Sequence, residues 1–211
     1  MILLGYWRST AAWRVRLALA YKGLAYEQQP VNLVAGAQRS PEHLALNPQG
    51  LVPVLIDGDA VLTQSLAIIE YLEDRQPQPP LLPATPAARA LVRSAALIVA
   101  ADVHPLGNLR VQQWLRREMG QDDAAVSVWL QQWIGDGLAA LEDFAEKHGG
   151  RCLYGDTPTL ADLVLIPQLY NARRFGVPLE KQPILVAIGS RIVGENWATA
   201  AHPDQQMDKN P

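Results

Sequence analysis

Residues 50–72 read GLVPVLIDGDAVLTQSLAIIEYL, and this stretch decides the fold. Pro53 stands at the start of an apolar run, where a strand tolerates proline because no amide hydrogen is needed there. Proline is also the residue before which a cis peptide bond costs little. Asp57-Gly58-Asp59 predicts a hairpin turn, with a returning strand at 60–62, and the apolar spacing after Gln64 predicts a helix from Ser65 to about Asp74. The stretch therefore predicts two antiparallel strands followed by a helix.

The residues before this stretch predict a strand, a helix and a second strand. Residues 2–6 are apolar enough for a buried strand, and Ser9 is placed to cap a helix that runs to about Tyr21. Lys22-Gly23 ends that helix, and residues 25–31 predict the next strand. Because a strand–helix–strand unit favours parallel pairing, residues 1–76 predict an α/β domain with a mixed sheet.

The remaining residues predict a linker and an all-helical domain. Residues 77–86 hold five prolines, a density that prevents a helix or a central strand and predicts an extended linker. From residue 87 to residue 211 the pattern is helical, with helices predicted at about 86–101, 108–117, 122–147 and 160–174. Thr159 and Asp162 form a capping box before the last of these. The polar tail, 202–211, is predicted to fray.

The composition is that of an ordinary globular protein and excludes several kinds of function. Hydrophobic residues make up 49% of the 211 residues and charged residues 18%, while the net charge of −3 argues against nucleic acid as a partner. Cys152 is the only cysteine, so no disulfide framework is expected, and the scattered histidines (His43, His104, His148 and His202) predict no metal site. The longest apolar run, 95–101, is too short to span a membrane, and no leader pattern is visible, so a cytoplasmic protein is expected.

Two predicted helix starts are candidates for ligand binding. Ser65 and Ser9 each begin a helix, and a helix N-terminus with free amides binds carboxylates and other anions. Together with the strand edge at Pro53, such a helix start can hold a short peptide with a free carboxylate. Each residue also has a purely structural interpretation, with Ser9 and Ser65 as caps and Pro53 as the first residue of a strand.

Several motifs, in this order, give the chain a resemblance to a known family. They are YWRS at 6–9, WRVRLAL at 13–19, ALNPQ at 45–49, VP at 52–53, QSLAIIEYL at 64–72, HPLGNLR at 104–110, GDTPTLAD at 155–162 and NARRF at 171–175. With them the chain resembles the zeta class of the glutathione transferases, the maleylacetoacetate and maleylpyruvate isomerases, along nearly its full length. The resemblance implies the glutathione transferase fold: a thioredoxin-like glutathione-binding domain at 1–76, a linker at 77–86 and a helical substrate-binding domain at 87–211.

The resemblance also implies how the first domain binds glutathione. Ser9 matches the first residue of the family's Ser-Ser-Cys triplet, and Thr10 and Ala11 take the other two places. The backbone of Val52, before Pro53, matches the residue that pairs with the cysteinyl unit. The pair Gln64 and Ser65 matches the one that holds the γ-glutamyl carboxylate, and Gln38 matches a contact residue across a gap in the alignment. A donor at a helix N-terminus favours a bound thiolate, which suits Ser9.

The second domain supplies candidate residues for the substrate. Arg110 falls in the first turn of a predicted helix, where a cation opposes the helix dipole, and this misfit favours a functional role. The resemblance places His104 and Asn108 near glutathione, and it places Arg8, Arg110 and Arg174 where they bind carboxylates. Two structural interpretations stay open: His104 as a helix cap, and Arg174 as a cation that suits the end of its helix.

The function implied is a glutathione-dependent cis–trans isomerase of maleylacetoacetate, which acts in aromatic amino-acid catabolism. Addition of a thiolate to the double bond leaves a single bond that rotates before the thiol is expelled. Because no cysteine lies near Ser9, this thiol has to come from glutathione. The implied partners are glutathione, a small dicarboxylate and a second copy of the chain. Three alternatives remain, namely a maleylpyruvate isomerase, a conjugating transferase, and a non-catalytic binding protein that would fail to bind glutathione.

Overall fold

The computed structural model describes residues 1–209, and it divides the chain into two compact units. The first unit comprises residues 1–81 together with the C-terminal segment from residue 193, and the second comprises residues 82–192. The sequence prediction assigned residues 87–211 to a single helical domain, whereas the segment from residue 193 groups with the first unit.

The first unit is built on a mixed four-stranded sheet, with the elements that the sequence predicts. The strands are β1 (Ile2–Gly5), β2 (Glu27–Pro30), β3 (Val54–Asp57) and β4 (Ala60–Thr63), and their order in the sheet is β2-β1-β3-β4. β1 pairs in parallel with β2 and antiparallel with β3, and β3 forms the predicted hairpin with β4. Helix α1 (Thr10–Tyr21) connects the parallel pair, and α3 (Ser65–Arg75) follows β4.

Helix α1 is the central element of this unit. Every residue from Thr10 to Leu19 is buried, and the helix packs against both α3 and the later helix α9 (Asn196–Ala201). This burial on all sides explains why α1 has little amphipathic character although it lies in a small domain. On the sheet, Leu4, Val31 and Val54 form a buried apolar cluster that holds β1 and β3 together.

A short helix, α2 (Pro41–Leu46), lies in the polar stretch between β2 and β3 that sequence periodicity left unassigned. Its six residues are too few for apolar spacing to be visible. Its local signals are nevertheless present. The Ser40 hydroxyl accepts a hydrogen bond from the His43 amide, and proline occupies the first helical position.

The second unit is helical, as predicted. Its helices are α4 (Pro86–Leu97), a π-helical turn at Ile98–Val103, α5 (Leu109–Arg117), α6 (Asp123–His148), α7 (Leu160–Arg174) and most of α8 (Pro183–Val193). The long helix predicted at 86–101 changes to π-helix at Ile98, where α6 comes close. A Cβ at Gly137 of α6 would lie 2.2 Å from a methyl carbon of Val103, so only glycine fits there.

The prediction of a frayed tail is wrong for residues 202–209, and residues 210–211 lie outside the described residues. Short 3₁₀ turns at Pro203–Gln205 and Met207–Lys209 follow α9. A carboxylate oxygen of Asp208 accepts a 2.8 Å hydrogen bond from the Trp7 amide, while a guanidinium nitrogen of Arg16 donates to the Ala201 carbonyl at 3.1 Å. These bonds join the tail to residues about two hundred positions earlier, a connection that local polarity does not reveal.

The first half of the proline-rich segment is anchored to the first unit. Lys22 is buried and donates to Glu73 at 2.7 Å and to the carbonyls of Gln76 and Pro79. Glu73 in turn accepts from the Leu81 amide, and Leu81 is fully buried. Among the described helices, none is long and apolar enough to cross a membrane.

Candidate functional site

The register of the sheet brings three predicted binding segments to one end of the first unit. Leu4, near the end of β1, pairs with Val54 at the start of β3, and Val54 pairs with Thr63 at the end of β4. Three segments therefore lie together at one edge of the sheet, the side where β1 and β4 end and β3 begins. They are the loop that leads to Ser9, the Val52-Pro53 segment and the Gln64-Ser65 pair. This edge is the candidate glutathione site.

Ser9 is the N-cap of α1, and its hydroxyl is arranged to serve a ligand as well as the helix. The hydroxyl oxygen accepts a 3.2 Å hydrogen bond from the Ala12 amide. A hydroxyl that accepts in this way keeps its own proton for donation to another group. Thr10 and Ala11 follow in the first turn and are both buried. The start of α1 thus offers a donor at the positive end of a helix.

The Val52-Pro53 segment has a cis peptide bond, and two side chains hold the loop before it. His43 and Asn47 are buried, and both contact the Leu51 carbonyl oxygen. The Nε2 atom of His43 and the Nδ2 atom of Asn47 each lie 2.9 Å from that oxygen. The sequence did not predict either residue as a support for this loop. The only sequence signal was Asn47 within the motif at 45–49, since the contacts depend on how α2 packs.

Gln38 lies beside the same loop. Gly50 has a φ of 62°, and a Cβ there would approach the Gln38 carbonyl oxygen to 3.1 Å, so the loop and the 3₁₀ turn Ala37–Arg39 are in close contact. The Gln38 Oε1 atom is buried without a hydrogen-bond partner among the described residues. The place predicted for Gln38 across an alignment gap is thus next to the candidate site.

Gln64 and Ser65 stand at the start of α3. Gln64 has a φ of 67°, the only positive value among the described residues other than glycine. Its side-chain nitrogen Nε2 donates a 2.8 Å hydrogen bond to the side-chain oxygen of Gln49. Such backbone strain costs on the order of 1–3 kcal/mol and is found preferentially at binding and catalytic sites. The Ser65 hydroxyl accepts a 3.3 Å hydrogen bond from a guanidinium nitrogen of Arg14.

Arg14 is a further residue at this edge that the sequence did not single out. It is 1% exposed, and burial lowers the pKa of its guanidinium to about 10, so the group stays charged at neutral pH. It lies in the quoted motif at 13–19, but its sequence position alone gave no reason to separate it from Arg16.

Arg8 lies in the loop between β1 and α1. Its guanidinium carbon is 5.1 Å from the centre of the Trp7 ring, and the backbone of Trp7 is fixed on both sides. The amide donates to Asp208 at 2.8 Å, and the carbonyl accepts from Arg16 at 2.9 Å. These two bonds hold the chain immediately before Arg8 and Ser9.

Three of the predicted residues lie around the start of α5 in the helical unit. Asn108 is the N-cap, and its side-chain oxygen accepts from the Arg110 amide at 3.1 Å. Arg110 is exposed in the first turn, as predicted. His104 follows the π-helical turn, and its amide donates to the Val99 carbonyl at 2.7 Å. The loop from His104 to Asn108 is held by α6, where the Trp129 indole donates to the Leu106 carbonyl at 2.9 Å.

Arg174 is the last residue of α7, as the sequence predicts. Its guanidinium carbon lies 4.8 Å from the centre of the Phe175 ring. The Phe175 carbonyl accepts a 3.0 Å hydrogen bond from Gln131 of α6, the helix that also supports α5. The helix end suits a cation, so the structural interpretation of Arg174 stays open.

The chain's own thiol is poorly suited to be a nucleophile. Cys152 is 1% exposed, and burial, followed by the nearby carboxylate of Asp162, raises its pKa to about 12. A thiol with such a pKa is almost entirely protonated at neutral pH. No cluster of three or more metal-ligating side chains occurs within residues 1–209.

The polar groups at this edge of the first unit match those of glutathione. The tripeptide carries a thiol, extended backbone and a free γ-glutamyl carboxylate. The edge supplies a matching group for each: the Ser9 hydroxyl, whose proton is free to be donated, the backbone of the half-buried Val52, and the N-terminus of α3 with Ser65. Arg14, behind Ser65, forms no ion pair with a described acidic side chain. Its positive charge at the start of α3 is therefore not cancelled.

Comparison with known proteins identifies the class to which this fold belongs. Residues 1–74 match the model of the glutathione S-transferase N-terminal domain. A maleylacetoacetate isomerase of Rhizobium meliloti (strain 1021) is 51% identical over 206 residues, which cover 97% of this chain and 96% of the relative. The predicted glutathione transferase fold is therefore confirmed.

Solved structures narrow the class to a family. A holo maleylpyruvate isomerase, described as a bacterial glutathione S-transferase of the zeta class, superposes with a TM-score of 0.96 at 42% identity and covers 99% of both chains. A maleylacetoacetate isomerase of Methylobacterium extorquens AM1, with malonate and glutathione bound, has a TM-score of 0.94 at 41% identity over 98% of both chains. The chain belongs to the zeta-class glutathione transferase family, which holds the maleylacetoacetate isomerases.

Proposed function

We propose that this protein is a glutathione-dependent isomerase that converts maleylacetoacetate to fumarylacetoacetate. The observation that carries the proposal is the identity of 51%, over 97% of the chain, to a maleylacetoacetate isomerase. The related structure with glutathione and malonate supports both the cofactor and a dicarboxylate substrate. The step belongs to the breakdown of aromatic amino acids.

When bound, glutathione supplies the thiolate that adds to the substrate's double bond and leaves again after rotation. Ser9 donates its free hydroxyl proton to that sulfur, and the N-terminus of α1 adds the positive end of the helix dipole. Both interactions lower the pKa of a bound thiol and favour its nucleophilic form. The Thr10 and Ala11 amides belong to the same first turn and reinforce this field.

The remaining glutathione contacts fall to the other segments at the same edge. The Val52 backbone pairs with the cysteinyl unit beside Pro53, and the Ser65 hydroxyl and first α3 amides hold the γ-glutamyl carboxylate. Gln64 and Gln38 contribute polar atoms beside them. In the helical unit, His104 and Asn108 complete the set of residues proposed for the cofactor.

Arginines bind the substrate's carboxylates and stabilise the negative charge that develops on its enolate oxygen. Arg8, Arg110 and Arg174 are proposed for this role, since the planar guanidinium matches a carboxylate with two parallel hydrogen bonds. Stabilisation of developing charge by prepositioned donors is commonly the largest catalytic contribution. A neutral substrate would gain nothing from these residues.

A second candidate activity is the isomerisation of maleylpyruvate. It is favoured by one observation, the TM-score of 0.96 to a maleylpyruvate isomerase over 99% of both chains. The two substrates share the reacting double bond and differ in the group beyond it. Conjugation of neutral electrophiles would use the same thiolate, but it gives no reason for the cationic residues.

The test is an ultraviolet assay of the purified wild-type protein with both substrates, with and without glutathione. We expect turnover of maleylacetoacetate with the higher kcat/KM, and no turnover without glutathione. Cys152→Ala should keep full activity, since the buried thiol of Cys152 is protonated at neutral pH. Turnover in thiol-free buffer would contradict the mechanism, and a preference for maleylpyruvate would assign the second activity.

We also propose a cytoplasmic homodimer. The cytosol maintains a large glutathione pool, which a glutathione-dependent enzyme requires. Light scattering coupled to gel filtration should give about twice the chain mass of 23.1 kDa. A mass of one chain would contradict the dimer without bearing on the chemistry.

A further inference from the structure

Arg14 is a buried cation that lacks the partners such a group normally has. It lies in the second turn of α1 and is 1% exposed. Of its guanidinium nitrogens, one donates to the Ser65 hydroxyl at 3.3 Å, and Nε and Nη2 have no hydrogen-bond partner among residues 1–209. The burial of a charge without a counter-ion is costly, and proteins rarely retain such a group without a reason.

Two other buried cations in the same unit show what ordinary compensation looks like. Lys22 donates to the Glu73 carboxylate at 2.7 Å and to two carbonyl oxygens. Arg16 donates to the carbonyls of Ala201 and Trp7 at 3.1 and 2.9 Å, and only its Nη1 atom has no hydrogen-bond partner among residues 1–209. Arg14 has neither a carboxylate nor a carbonyl partner in the described chain, only a hydroxyl. A purely structural role therefore does not account for it.

The single hydrogen bond of Arg14 points to the start of α3. Because the Ser65 oxygen accepts from Arg14, the Ser65 hydroxyl proton is directed elsewhere and is available to a ligand. Hydrogen bonds in such a chain polarise one another, so a charged donor behind the hydroxyl makes the hydroxyl a stronger donor. The same position carries the N-terminus of an eleven-residue helix and the strained backbone of Gln64.

We propose that Arg14 is a positioning residue for the γ-glutamyl carboxylate of glutathione, acting through Ser65. Its guanidinium fixes the orientation of the Ser65 hydroxyl and supplies a buried positive charge whose counter-ion is the carboxylate of the ligand. This role rests on the proposed function, because it assigns the deeper layer of the glutathione site. It explains in one step why the charge is buried, why it has no acidic partner and why it contacts Ser65.

The test compares two ligands on matched variants by isothermal titration calorimetry. The ligands are S-methylglutathione and its analogue with a 4-aminobutyryl group in place of the γ-glutamyl group, which lacks only that carboxylate. In Arg14→Met the affinity for S-methylglutathione should fall about 10- to 100-fold, the effect typical of a lost interaction with a charged group. The affinity for the analogue should change less than about twofold, since it offers no carboxylate.

Three further variants give the comparison its controls. Arg14→Lys keeps the charge and should lose less affinity for S-methylglutathione than Arg14→Met, so it also serves if the methionine variant does not fold. Ser65→Ala should lose the same discrimination between the ligands. Lys22→Met removes a buried cation that has structural partners and should affect both ligands alike. Circular dichroism establishes that each variant is folded.

The outcomes separate this role from the proposed function. Equal loss of affinity for both ligands in the Arg14 variants, or no loss for either, overturns the positioning role and leaves the isomerase untouched. Failure of the wild-type protein to bind S-methylglutathione overturns the glutathione site itself. Failure to turn over either substrate while ligand discrimination persists contradicts the isomerase and supports the role of Arg14.

Discussion

At the scale of single residues, Ser9 combines two tasks, and a comparison with a second helix cap can separate them. Ser9→Ala removes the cap to Ala12 and also the donor to a bound thiolate. We expect kcat to fall on the order of 100-fold, as for the loss of one donor in an oxyanion site, with a smaller effect on glutathione affinity. The pKa of the bound thiol, followed by thiolate absorbance, should rise because the thiolate loses a hydrogen bond.

Thr85→Ala is the matched control for the cap. The Thr85 hydroxyl accepts from the Ala88 amide at 3.3 Å at the start of α4, the same arrangement outside the candidate site. Its loss should cost about 1 kcal/mol of stability, as caps do, without changing kcat. If Ser9→Ala behaves like Thr85→Ala, the serine is only a cap.

Arg110 is the residue that best distinguishes a diacid isomerase from a general transferase. It occupies the first turn of α5, where a cation opposes the helix dipole, and it is exposed. Arg110→Ala should raise KM for the dicarboxylate substrates about 10- to 100-fold, since a hydrogen bond to a charged group contributes about 1.5–3 kcal/mol. Arg110→Lys should recover little, because lysine lacks the planar fork.

Two controls show whether the effect of Arg110→Ala is specific to carboxylate substrates. Conjugation of a neutral aryl halide should hardly change, since that substrate has no carboxylate. Arg117→Ala removes an exposed arginine from the last turn of the same helix and should leave KM unaltered. Equal losses on charged and neutral substrates would place Arg110 in folding or glutathione binding instead.

At the scale of elements, the capping box of α7 joins the helix to the loop before it. Asp162 is fully buried and accepts from the Leu153 amide, the Thr159 amide and the Thr159 hydroxyl at 2.8, 2.8 and 2.9 Å. Asp162→Ala leaves these donors unsatisfied, at about 1–3 kcal/mol each. We expect urea denaturation to show a loss of about 3 kcal/mol or more in the free energy of unfolding.

An exposed cap provides the comparison for α7. Asp122 caps α6 with one bond, 2.8 Å from the Ala125 amide, so Asp122→Ala should cost only about 1 kcal/mol. Asp162→Asn should fall between the two, because the amide oxygen still accepts. A loss below that of Asp122→Ala would mean that Asp162 is not what holds this loop.

The helices and strands that sequence analysis found have local signals. Ser9 and Thr159 are caps that the sequence predicts next to an apolar repeat, and the structure uses both. The helix α2 was not predicted because it is too short for apolar periodicity to be visible. The ordered tail was not predicted because its hydrogen-bond partners are distant in sequence. Local chemistry predicts an element, whereas its packing partner depends on the rest of the chain.

At the scale of the whole molecule, the tail makes the first unit sensitive to pH through His202. The His202 ring packs edge-on against Trp13, with the two ring centres 5.1 Å apart. Burial lowers the pKa of His202 below 6.5. The carboxylate of Asp204 opposes this shift, and the positive charges of Arg16 and Lys209 add to it. The unfolded chain therefore binds this proton more readily than the folded one. The stabilising effect is complete above about pH 6.5 and is lost as the pH falls below that value.

We expect the thermal midpoint of the wild-type protein to fall between pH 7 and pH 5 more than that of His202→Phe, which keeps a ring against Trp13 but cannot be protonated. Above pH 7 the two proteins should show the same dependence, because His202 is neutral there. Parallel curves across the whole range would contradict a role for His202 in the acid sensitivity.

The sequence by itself determined the four strands, most of the longer helices and the motifs of the glutathione site, because caps, turn residues and apolar spacing act over a few residues. It did not show α2, α8 or α9. Tertiary structure decided which of these come together. The antiparallel pairing of β1 with β3 brings Ser9 to the edge that already holds Val52 and Ser65, which the hairpin predicted from the sequence joins. The packing of α1 against α3 places Arg14 on Ser65. These contacts join residues about fifty positions apart. Arg14 and Arg16 are equally buried, and only their partners distinguish them, the Ser65 hydroxyl for Arg14 and two carbonyl oxygens for Arg16.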